Sequence, residues 1–523
     1  MKSPRSLSCT CRFWCAVFLL VGASCAVHAQ NLTGYWELRT PNINNDGTFR
    51  ETFFHIEQAG ETLSGELIRY PRGIPITGTY SDGNIHLVTV PPPPNPAMPQ
   101  RPARPPIAWD GKLEDGKLQL TSNGRMGEVH GVAEKVTKEA TEPPAALPLP
   151  ELKDVPDSGL ARTPPMGWNS WNKFAGRVDD AAVRGMADAM VLSGMRDAGY
   201  IYINIDDTWE LGRDERGNLV SNKKFPDMRA LADYVHSKGL KIGIYSSPGP
   251  KTCAGYEGSY GHELQDAKTF ASWGIDYLKY DLCSDLEIYK DDAPTLQAIY
   301  QQMGEALQST QRPIVYSLCE YGRAQVWTGW GAKAGGNLWR TTGDISDNWE
   351  SMDRIGFSQI KLAPYASPGH WNDPDMLEIG NGGMTADEYR THMSLWSLLA
   401  APLIAGNDLR SMTDETKSIL LNREVIAVDQ DPDYKPVTSV STDSGLEVLM
   451  RPLHDGSVVV GLFNRTSAPA AMSFPRAELP ASFVGRKLGV RDLWKHEVAQ
   501  MQGDSFTATV PSHGVALIGF TAE

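Results

Sequence analysis

The segment YIYINIDD, Tyr200–Asp207, is an apolar run that ends in two aspartates. A second run, IDYLKY at Ile275–Tyr280, is followed directly by Asp281. Continuous apolar runs of this kind are typical of buried parallel strands, whereas half-exposed strands alternate apolar and polar residues. Functional side chains of parallel barrels lie at the carboxyl ends of the strands, so these aspartates are candidates for chemistry.

Apolar runs of the same kind repeat across the middle of the chain. Eight apolar runs are separated by helix-like segments, and they are centred near Met166, Ile203, Ile242, Tyr277, Ile314, Trp339, His370 and Leu403. Four intervening segments have the length of crossover helices, namely Ala181–Ala198, Met228–Lys238, Glu263–Trp273 and Ala293–Ser309. Eight such units within residues 159–430 predict an α/β domain, a closed (β/α)8 TIM barrel, with an open doubly wound sheet as the alternative.

The regions on either side of this barrel have the pattern of antiparallel strands. Residues 30–140 contain short alternating runs separated by Asp-Gly turns and predict a small all-β N-terminal domain. Its Pro-rich loop, 91–106, lacks the backbone donors that a central strand needs. Residues 141–158 are again rich in proline and predict a linker, and residues 431–523 predict a C-terminal antiparallel β-sandwich.

The first 29 residues have the pattern of a cleavable export signal. Basic residues precede the apolar run Phe13–Val21, and a small-residue cleavage site follows at Ala29. The run is shorter than the roughly 20 residues of a spanning helix, which disfavours an uncleaved anchor. Lipoprotein processing at Cys25 is disfavoured as well, because Gly22 stands where a larger aliphatic residue is expected. We therefore expect a secreted or periplasmic protein with no membrane span.

Composition and charge limit the classes of molecule that this protein is expected to bind. The chain has 523 residues, of which 41% are apolar and 21% charged, as in ordinary globular proteins. Its formal net charge of −14 argues against a nucleic-acid surface, since phosphate binding needs clustered Lys and Arg. We expect a neutral or small partner and no nucleic acid; homo-oligomerisation stays open.

Four aspartates follow three predicted strands. One such aspartate is well explained as a helix N-cap, but the combination of Asp206, Asp207, Asp281 and Asp344 with nearby aromatic residues is not. Aromatic rings beside carboxylates suit sugars, whose C–H faces pack on rings while their hydroxyls need acceptors. The predicted barrel has four histidines without a close pair, so we expect no metal and no cofactor. A serine-nucleophile elbow and a phosphate-binding loop are also missing from the sequence.

Several motifs resemble those of glycoside hydrolase family 27, the alpha-galactosidases. The segments that carry the resemblance are MGWNSW at Met166–Trp171, KTCAG at Lys251–Gly255, YLKYD at Tyr277–Asp281, SLCE at Ser317–Glu320, WRTTGD at Trp339–Asp344 and WNDPDM at Trp371–Met376. The resemblance covers roughly residues 159–523 and leaves the N-terminal domain outside. It implies a (β/α)8 barrel with a C-terminal β-sandwich, retaining chemistry and no metal.

The resemblance also implies roles for individual residues. Asp281 matches the nucleophile and Asp344 the general acid/base, and Lys279, on the same face of its strand, would favour the charged form of Asp281. The sugar-binding residues would be Trp171, Asp206, Asp207, Tyr245, Lys279, Glu320, Arg340 and Met376. Cys253 and Cys283 match a family disulfide, and Cys319 would be a free, buried thiol.

Substrate choice is predicted from the same comparison. Relatives that accept 2-acetamido sugars have a small residue in place of Glu320, and the arabinopyranosidases have a longer glutamate in place of Asp207. We therefore expect an exo-acting alpha-galactosidase. The alternatives are an alpha-N-acetylgalactosaminidase, a beta-L-arabinopyranosidase or a non-catalytic carbohydrate-binding protein. Tyr321 departs from the tryptophan of many relatives and is expected to alter the pocket rim.

The role of the N-terminal domain stays open between carbohydrate binding and a structural or attachment function. It has five aromatic residues that could stack on sugars, although at β spacing such residues more often belong to the core; they are Trp36, Phe53, Phe54, Tyr70 and Tyr80.

Overall fold

A computed structural model describes residues 31–42, 46–70, 72–90, 105–124 and 127–522. The predicted signal peptide, 1–29, and most of the Pro-rich loop, 91–106, lie outside these residues. Within them, the fold is an α/β barrel between two all-β regions, as the sequence predicted.

The N-terminal region is a closed antiparallel barrel of eight strands. Each strand pairs with the next, and the first also pairs with the last, where Tyr35 lies opposite Val136. The strands are β1 Gly34–Pro41, β2 Phe49–Ala59, β3 Thr62–Leu67, β4 Ile74–Ser81, β5 Asn84–Thr89, β6 Ala108–Glu114, β7 Lys117–Gly124 and β8 Gly127–Val136. Trp36 and Phe54 belong to its core, whereas Phe53 and Tyr70 are only partly buried.

The middle region contains eight parallel strands in one sheet. In chain order they are β9 Met166–Asn169, β10 Tyr202–Asn204, β13 Lys241–Ser246, β14 Tyr277–Asp281, β15 Val315–Cys319, β16 Leu338–Arg340, β17 Trp371–Asp373 and β18 Leu403–Ala405; β11 Glu210–Arg213 and β12 Leu219–Ser221 form a separate hairpin. A parallel bridge between Leu377, four residues after β17, and Ala405 of β18 brings the two ends of this sheet together. All eight predicted runs contain or directly adjoin one of these strands.

The helices surround this sheet. They are α1 Trp171–Phe174, α2 Asp180–Leu192, α3 Met195–Ala198, α4 Met228–Ser237, α5 Glu263–Trp273, α6 Ala293–Ser309, α7 Trp330–Lys333, α8 Trp349–Ser358, α9 Ala386–Leu399, α10 Asp414–Leu420 and α11 Arg423–Asp429. Side chains of Asp179, Asp227 and Asp292 cap α2, α4 and α6 by accepting a backbone N–H, which explains where these helices begin. The predicted helical stretch Ala181–Ala198 consists of two helices, because Gly194 adopts φ of 85° and separates α2 from α3.

The C-terminal region is antiparallel and packs on α9. One sheet has six strands and the other two, formed by β19 Thr438–Asp443, β20 Leu446–Pro452, β21 Val458–Asn464, β22 Ala470–Pro475, β23 Leu488–Asp492, β24 Glu497–Val498, β25 Ser505–Val510 and β26 Val515–Ala522. Arg451 and Trp494 donate hydrogen bonds to Ser397 and Ser394 near the α9 surface. Within the described residues, none of the helices combines the length and apolar character that crossing a bilayer requires.

Candidate active site

A cavity of about 730 Å³ opens at the carboxyl ends of the barrel strands. Asp281 ends β14, Arg340 ends β16, and Asp206 follows β10 by two residues. Nine of the ten catalytic and sugar-binding residues predicted from the sequence line this cavity: Trp171, Asp206, Asp207, Tyr245, Lys279, Asp281, Arg340, Asp344 and Met376. The barrel therefore gathers side chains from distant parts of the chain in one concave site.

Asp281 is a buried carboxylate held by two tyrosines. Its Oδ1 accepts a hydrogen bond from the Tyr321 hydroxyl at 2.7 Å, and its Oδ2 accepts one from Tyr245 at 3.1 Å. Burial raises the pKa of Asp281, while the charge of Lys279 and the hydrogen bond from Tyr321 oppose that rise. The two hydroxyls fix the carboxylate at the wall of the cavity.

Lys279, on β14, forms its ion pair with Asp206, which follows β10 on the far side of β13. Its Nζ lies 2.8 Å from Oδ2 of Asp206, an oxygen that also accepts from the side-chain amide of Asn169 at 2.8 Å. Burial lowers the pKa of Lys279, but Asp206 and Asp281 outweigh it, so the ammonium stays charged. The expected support of Asp281 by Lys279 thus acts through space, and the direct partner is Asp206.

Asp207 is surrounded by donors from two loops. Its Oδ1 accepts from the Thr208 backbone at 2.6 Å and from the Thr252 hydroxyl at 2.8 Å, and its Oδ2 accepts from the Ala254 backbone at 2.8 Å. Burial nevertheless raises the pKa of Asp207 to about 7. The disulfide between Cys253 and Cys283 ties the same loop to the end of β14.

Asp344 has a different environment. Its side chain is 75% exposed at the mouth of the cavity, and one oxygen accepts from Nη2 of Arg340 at 3.1 Å. Arg340 is itself buried, and the same Nη2 lies 2.8 Å from Asp375. The cavity therefore presents two carboxylates in different environments, Asp281 buried in its wall and Asp344 exposed at its mouth.

Glu320 is the predicted residue that the structure does not bring to the cavity. Its side chain is fully buried behind the strand end, where Oε1 accepts from the Gly322 backbone at 3.3 Å and Oε2 has no partner among the described residues. Burial raises the pKa of Glu320 well above its ordinary value. The next residue, Tyr321, turns into the cavity with φ of 61°.

Two further residues line the cavity that the sequence did not predict as sugar-binding. Tyr321 was singled out only as a departure at the rim, although it contacts Asp281. Asp375 belongs to the motif WNDPDM, from which no role was predicted for it. It lines the cavity and pairs with Arg340. Its φ of 95° is a strained conformation of the kind that functional sites retain. The signal for Asp375 was its position, two residues after β17.

One cluster has the composition of a metal site. The sulfur atoms of Cys253 and Cys283 and a carboxylate oxygen of Asp281 lie within 4.8 Å of one another. The two sulfurs are joined in a disulfide, whereas a metal ligand must be a thiolate. Cys319 is the free thiol of the described region, buried with Nη1 of Arg340 3.6 Å from its sulfur.

Comparisons with known proteins agree with this geometry. The family model for Alpha galactosidase A matches residues 163–431, and the model for the Alpha galactosidase C-terminal beta sandwich domain matches residues 443–520. An alpha-galactosidase of Cyamopsis tetragonoloba is 49% identical over 371 residues, which are 70% of this chain and 88% of the relative.

Solved structures show the same similarity. The crystal structure of alpha-galactosidase I from Mortierella vinacea has a TM-score of 0.67 and 37% identity, covering 70% of this chain and 99% of that chain. A Bacteroides fragilis crystal structure covers 93% of this chain and 92% of that chain, with a TM-score of 0.66 and 31% identity. Together with the matched motifs, these similarities show that the chain belongs to glycoside hydrolase family 27, the family of the alpha-galactosidases.

Proposed function

We propose that this protein is an exo-acting, retaining alpha-galactosidase that removes terminal alpha-linked galactose from oligosaccharides or polysaccharides. The observation that carries the proposal is the pairing of buried Asp281 with exposed Asp344 in one sugar-sized cavity. Retaining glycosidases need two such carboxyl groups, one to attack and one to protonate.

The reaction would proceed by double displacement. Asp281 attacks the anomeric carbon while Asp344 gives its proton to the departing oxygen, which leaves a glycosyl ester on Asp281. Asp344, now a carboxylate, removes a proton from water, and the resulting hydroxide attacks the same carbon and releases Asp281. Two inversions return galactose with its original configuration.

The buried end of the cavity would recognise the sugar. Asp206 and Asp207 accept hydrogen bonds from the axial 4-hydroxyl and the 6-hydroxyl, and Lys279 and Tyr245 contact neighbouring hydroxyls. Both aspartates are almost fully buried, so a sugar hydroxyl misplaced by epimerisation would lose its hydrogen bond to an acceptor that water does not replace. Glu320 does not line the cavity. Discrimination against 2-acetamido sugars would therefore depend on Tyr321, Arg340 and Met376, which do line it.

We also propose the division of the chain inferred from its sequence. Residues 1–29 direct export to a secreted or periplasmic location and are cleaved, residues 30–140 form the N-terminal domain, and 141–158 connect it to the catalytic domain at 159–430. Residues 431–523 are the C-terminal β-sandwich, which the match to a family sandwich domain supports.

Hydrolysis of three aryl glycosides tests the function. We expect p-nitrophenyl alpha-galactoside to be cleaved in preference to the alpha-N-acetylgalactosaminide and the beta-L-arabinopyranoside. Asp344→Ala should lower kcat/KM by roughly 10²–10⁴-fold, the usual contribution of a general acid/base. Asp281→Ala should abolish turnover, and proton NMR of the wild-type reaction should detect alpha-galactose first.

Asp291→Ala is the matched control, because this aspartate is exposed on the surface and pairs with Arg323. It should keep wild-type kinetics. Preference for either competing substrate would replace the galactosidase assignment with one of the family alternatives. An inert wild-type protein that binds galactosides would instead support a carbohydrate-binding role.

A further inference from the structure

The N-terminal barrel contacts the catalytic domain at a short turn, residues 251–257. An antiparallel bridge between Lys251 and Glu257 closes this turn, and the backbone N–H of Thr252 donates to the carbonyl of Tyr256 at 2.9 Å. The Tyr256 hydroxyl donates to Oδ2 of Asp46, between β1 and β2, at 2.6 Å. Asp46 and Tyr256 are only 2% and 4% exposed, so this contact between domains is shielded from water.

The turn 251–257 also holds Asp207. The Thr252 hydroxyl donates to Oδ1 of Asp207 at 2.8 Å, and the Ala254 backbone donates to Oδ2 at 2.8 Å. The Thr252 hydroxyl accepts from the backbone N–H of Tyr256 at 2.9 Å, which links the residue facing the N-terminal barrel to the residue facing Asp207. Burial raises the pKa of Asp207, and the donors on the turn oppose that rise, so they favour the ionised acceptor.

A second contact of Asp46 leads to the other side of Asp207. Oδ2 of Asp46 also lies 3.9 Å from Nζ of Lys224. Lys224 donates to the hydroxyl of Thr208 at 2.9 Å, and the Thr208 backbone donates to Asp207 at 2.6 Å. One carboxylate of the N-terminal barrel therefore adjoins both segments that supply hydrogen bonds to Asp207.

The turn 251–257 has further anchors within the catalytic domain. The disulfide at Cys253 fixes its tip, and the ion pair of Arg213 with Glu257, at 3.1 Å, fixes one end. Neither anchor involves the Tyr256 side chain. Loss of the hydrogen bond between Tyr256 and Asp46 should therefore displace the turn without unfolding it.

We propose that Asp46 of the N-terminal barrel is a positioning residue for galactose recognition, which acts through Tyr256 and the turn 251–257 on the Asp207 carboxylate. The inference rests on the proposed galactosidase function, in which Asp207 accepts a hydrogen bond from the sugar 6-hydroxyl. It gives the N-terminal barrel a part in substrate selectivity without requiring that barrel to touch the sugar.

Comparing two substrates in the full-length enzyme tests this. One is p-nitrophenyl alpha-galactoside, and the other is its 6-deoxy analogue, which lacks the hydroxyl assigned to Asp207. Asp46→Ala and Tyr256→Phe should each lower kcat/KM about three- to tenfold more for the galactoside than for the analogue, because a displaced acceptor loses part of a charge-assisted hydrogen bond. The double variant should lose little more than Asp46→Ala alone, since both changes break the same contact.

Asp353→Ala is the matched control. Asp353, on α8, joins the catalytic domain to the C-terminal sandwich by accepting two hydrogen bonds from Arg465, at 2.6 and 2.9 Å. Its removal also deletes an aspartate between two domains, but at a place with no contact to the turn 251–257. It should lower the melting temperature and leave the ratio of the two kcat/KM values unchanged. Each variant is assayed below its own melting temperature.

A wild-type ratio in both Asp46→Ala and Tyr256→Phe would overturn the proposal, and so would an equal fall of the ratio in Asp353→Ala. If Asp46→Ala does not fold, Tyr256→Phe decides alone. A wild-type enzyme that cleaves neither substrate would overturn the galactosidase function instead. Calorimetry with galactose would then decide the positioning role, which predicts weaker binding in Tyr256→Phe and wild-type binding in Asp353→Ala. Equal affinity in Tyr256→Phe and the wild type, or no binding by either, would contradict that role.

Discussion

Tyr321 contacts the carboxylate of Asp281 directly. Its hydroxyl donates to the carboxylate at 2.7 Å, and its ring lies 5.6 Å from the Arg340 guanidinium. A donor to the charged form stabilises that form, so Tyr321 counteracts the rise in pKa that burial imposes on Asp281. A tyrosine at this position therefore supplies a hydrogen-bond donor to the proposed nucleophile as well as a wall of the cavity.

Tyr321→Phe tests this account through the pH profile. Removing the hydroxyl takes away a hydrogen bond that lowers the pKa of Asp281, so that pKa should rise. Attack requires the ionised carboxylate, and the acidic limb of kcat/KM should therefore move to higher pH. The measurement is kcat/KM for p-nitrophenyl alpha-galactoside across the acidic range.

The control for this variant is Tyr316→Phe. Tyr316 is a buried tyrosine on β15 whose hydroxyl donates to the Tyr300 backbone at 3.0 Å. It has no hydrogen bond to Asp281, so the position of the acidic limb should not change. An unshifted limb in Tyr321→Phe would show that its hydroxyl does not set the ionisation of the nucleophile.

Neighbouring strands of the catalytic barrel pack closely on one another at Gly243. Gly243 in β13 lies between Asn204 of β10 and Tyr277 of β14. A Cβ at Gly243 would lie 2.0 Å from Oδ1 of Asn204 and 3.1 Å from Cβ of Tyr277. The barrel interior has room for one side chain between these strands. Because Gly243 has no side chain, Asn204 occupies that space.

Gly243→Ala should consequently destabilise the protein. Overpacking of a tight interior typically costs about 1–3 kcal/mol of unfolding free energy, which should lower the melting temperature measurably. Gly343→Ala is the matched change, since a Cβ there meets nothing within 4 Å. Its effect should stay within about 0.5 kcal/mol. Equal melting temperatures for the two variants would refute the steric explanation.

The N-terminal barrel and the catalytic domain are joined by a buried polar contact. Asp46 accepts a hydrogen bond from the Tyr256 hydroxyl at 2.6 Å and lies 3.9 Å from Nζ of Lys224. Lys224 in turn donates to the hydroxyl of Thr208 at 2.9 Å, and Thr208 directly follows Asp207. A contact between domains therefore reaches the loop that carries Asp207, a proposed sugar-binding residue.

Asp46→Ala should weaken this junction. It removes an acceptor and the carboxylate nearest to a largely buried lysine, and lost partners of this kind cost about 1–3 kcal/mol. We expect a lower melting temperature by calorimetry. Asp110→Ala is the comparison, because its side chain in the same barrel is 72% exposed and should contribute little. Unchanged melting of Asp46→Ala would mean that the two domains are held together elsewhere.

The sequence by itself determined the features that depend on local order along the chain. Apolar runs followed by aspartates predicted the strands β10 and β14 and placed Asp206 and Asp281 at their carboxyl ends, because strand ends and polar loops are encoded by neighbouring residues. The motif resemblance added the Cys253–Cys283 pairing, which the structure contains.

Contacts between distant segments were decided only by the tertiary structure. Lys279 and Asp281 share a strand face, yet Lys279 pairs with Asp206, which follows β10, two positions away from β14 in the sheet. Glu320 and Tyr321 are neighbours in sequence, but the turn at Tyr321 buries the first and exposes the second to the cavity. The hydrogen bond between Asp46 and Tyr256 requires two domains to meet, and no periodicity within either domain encodes that packing.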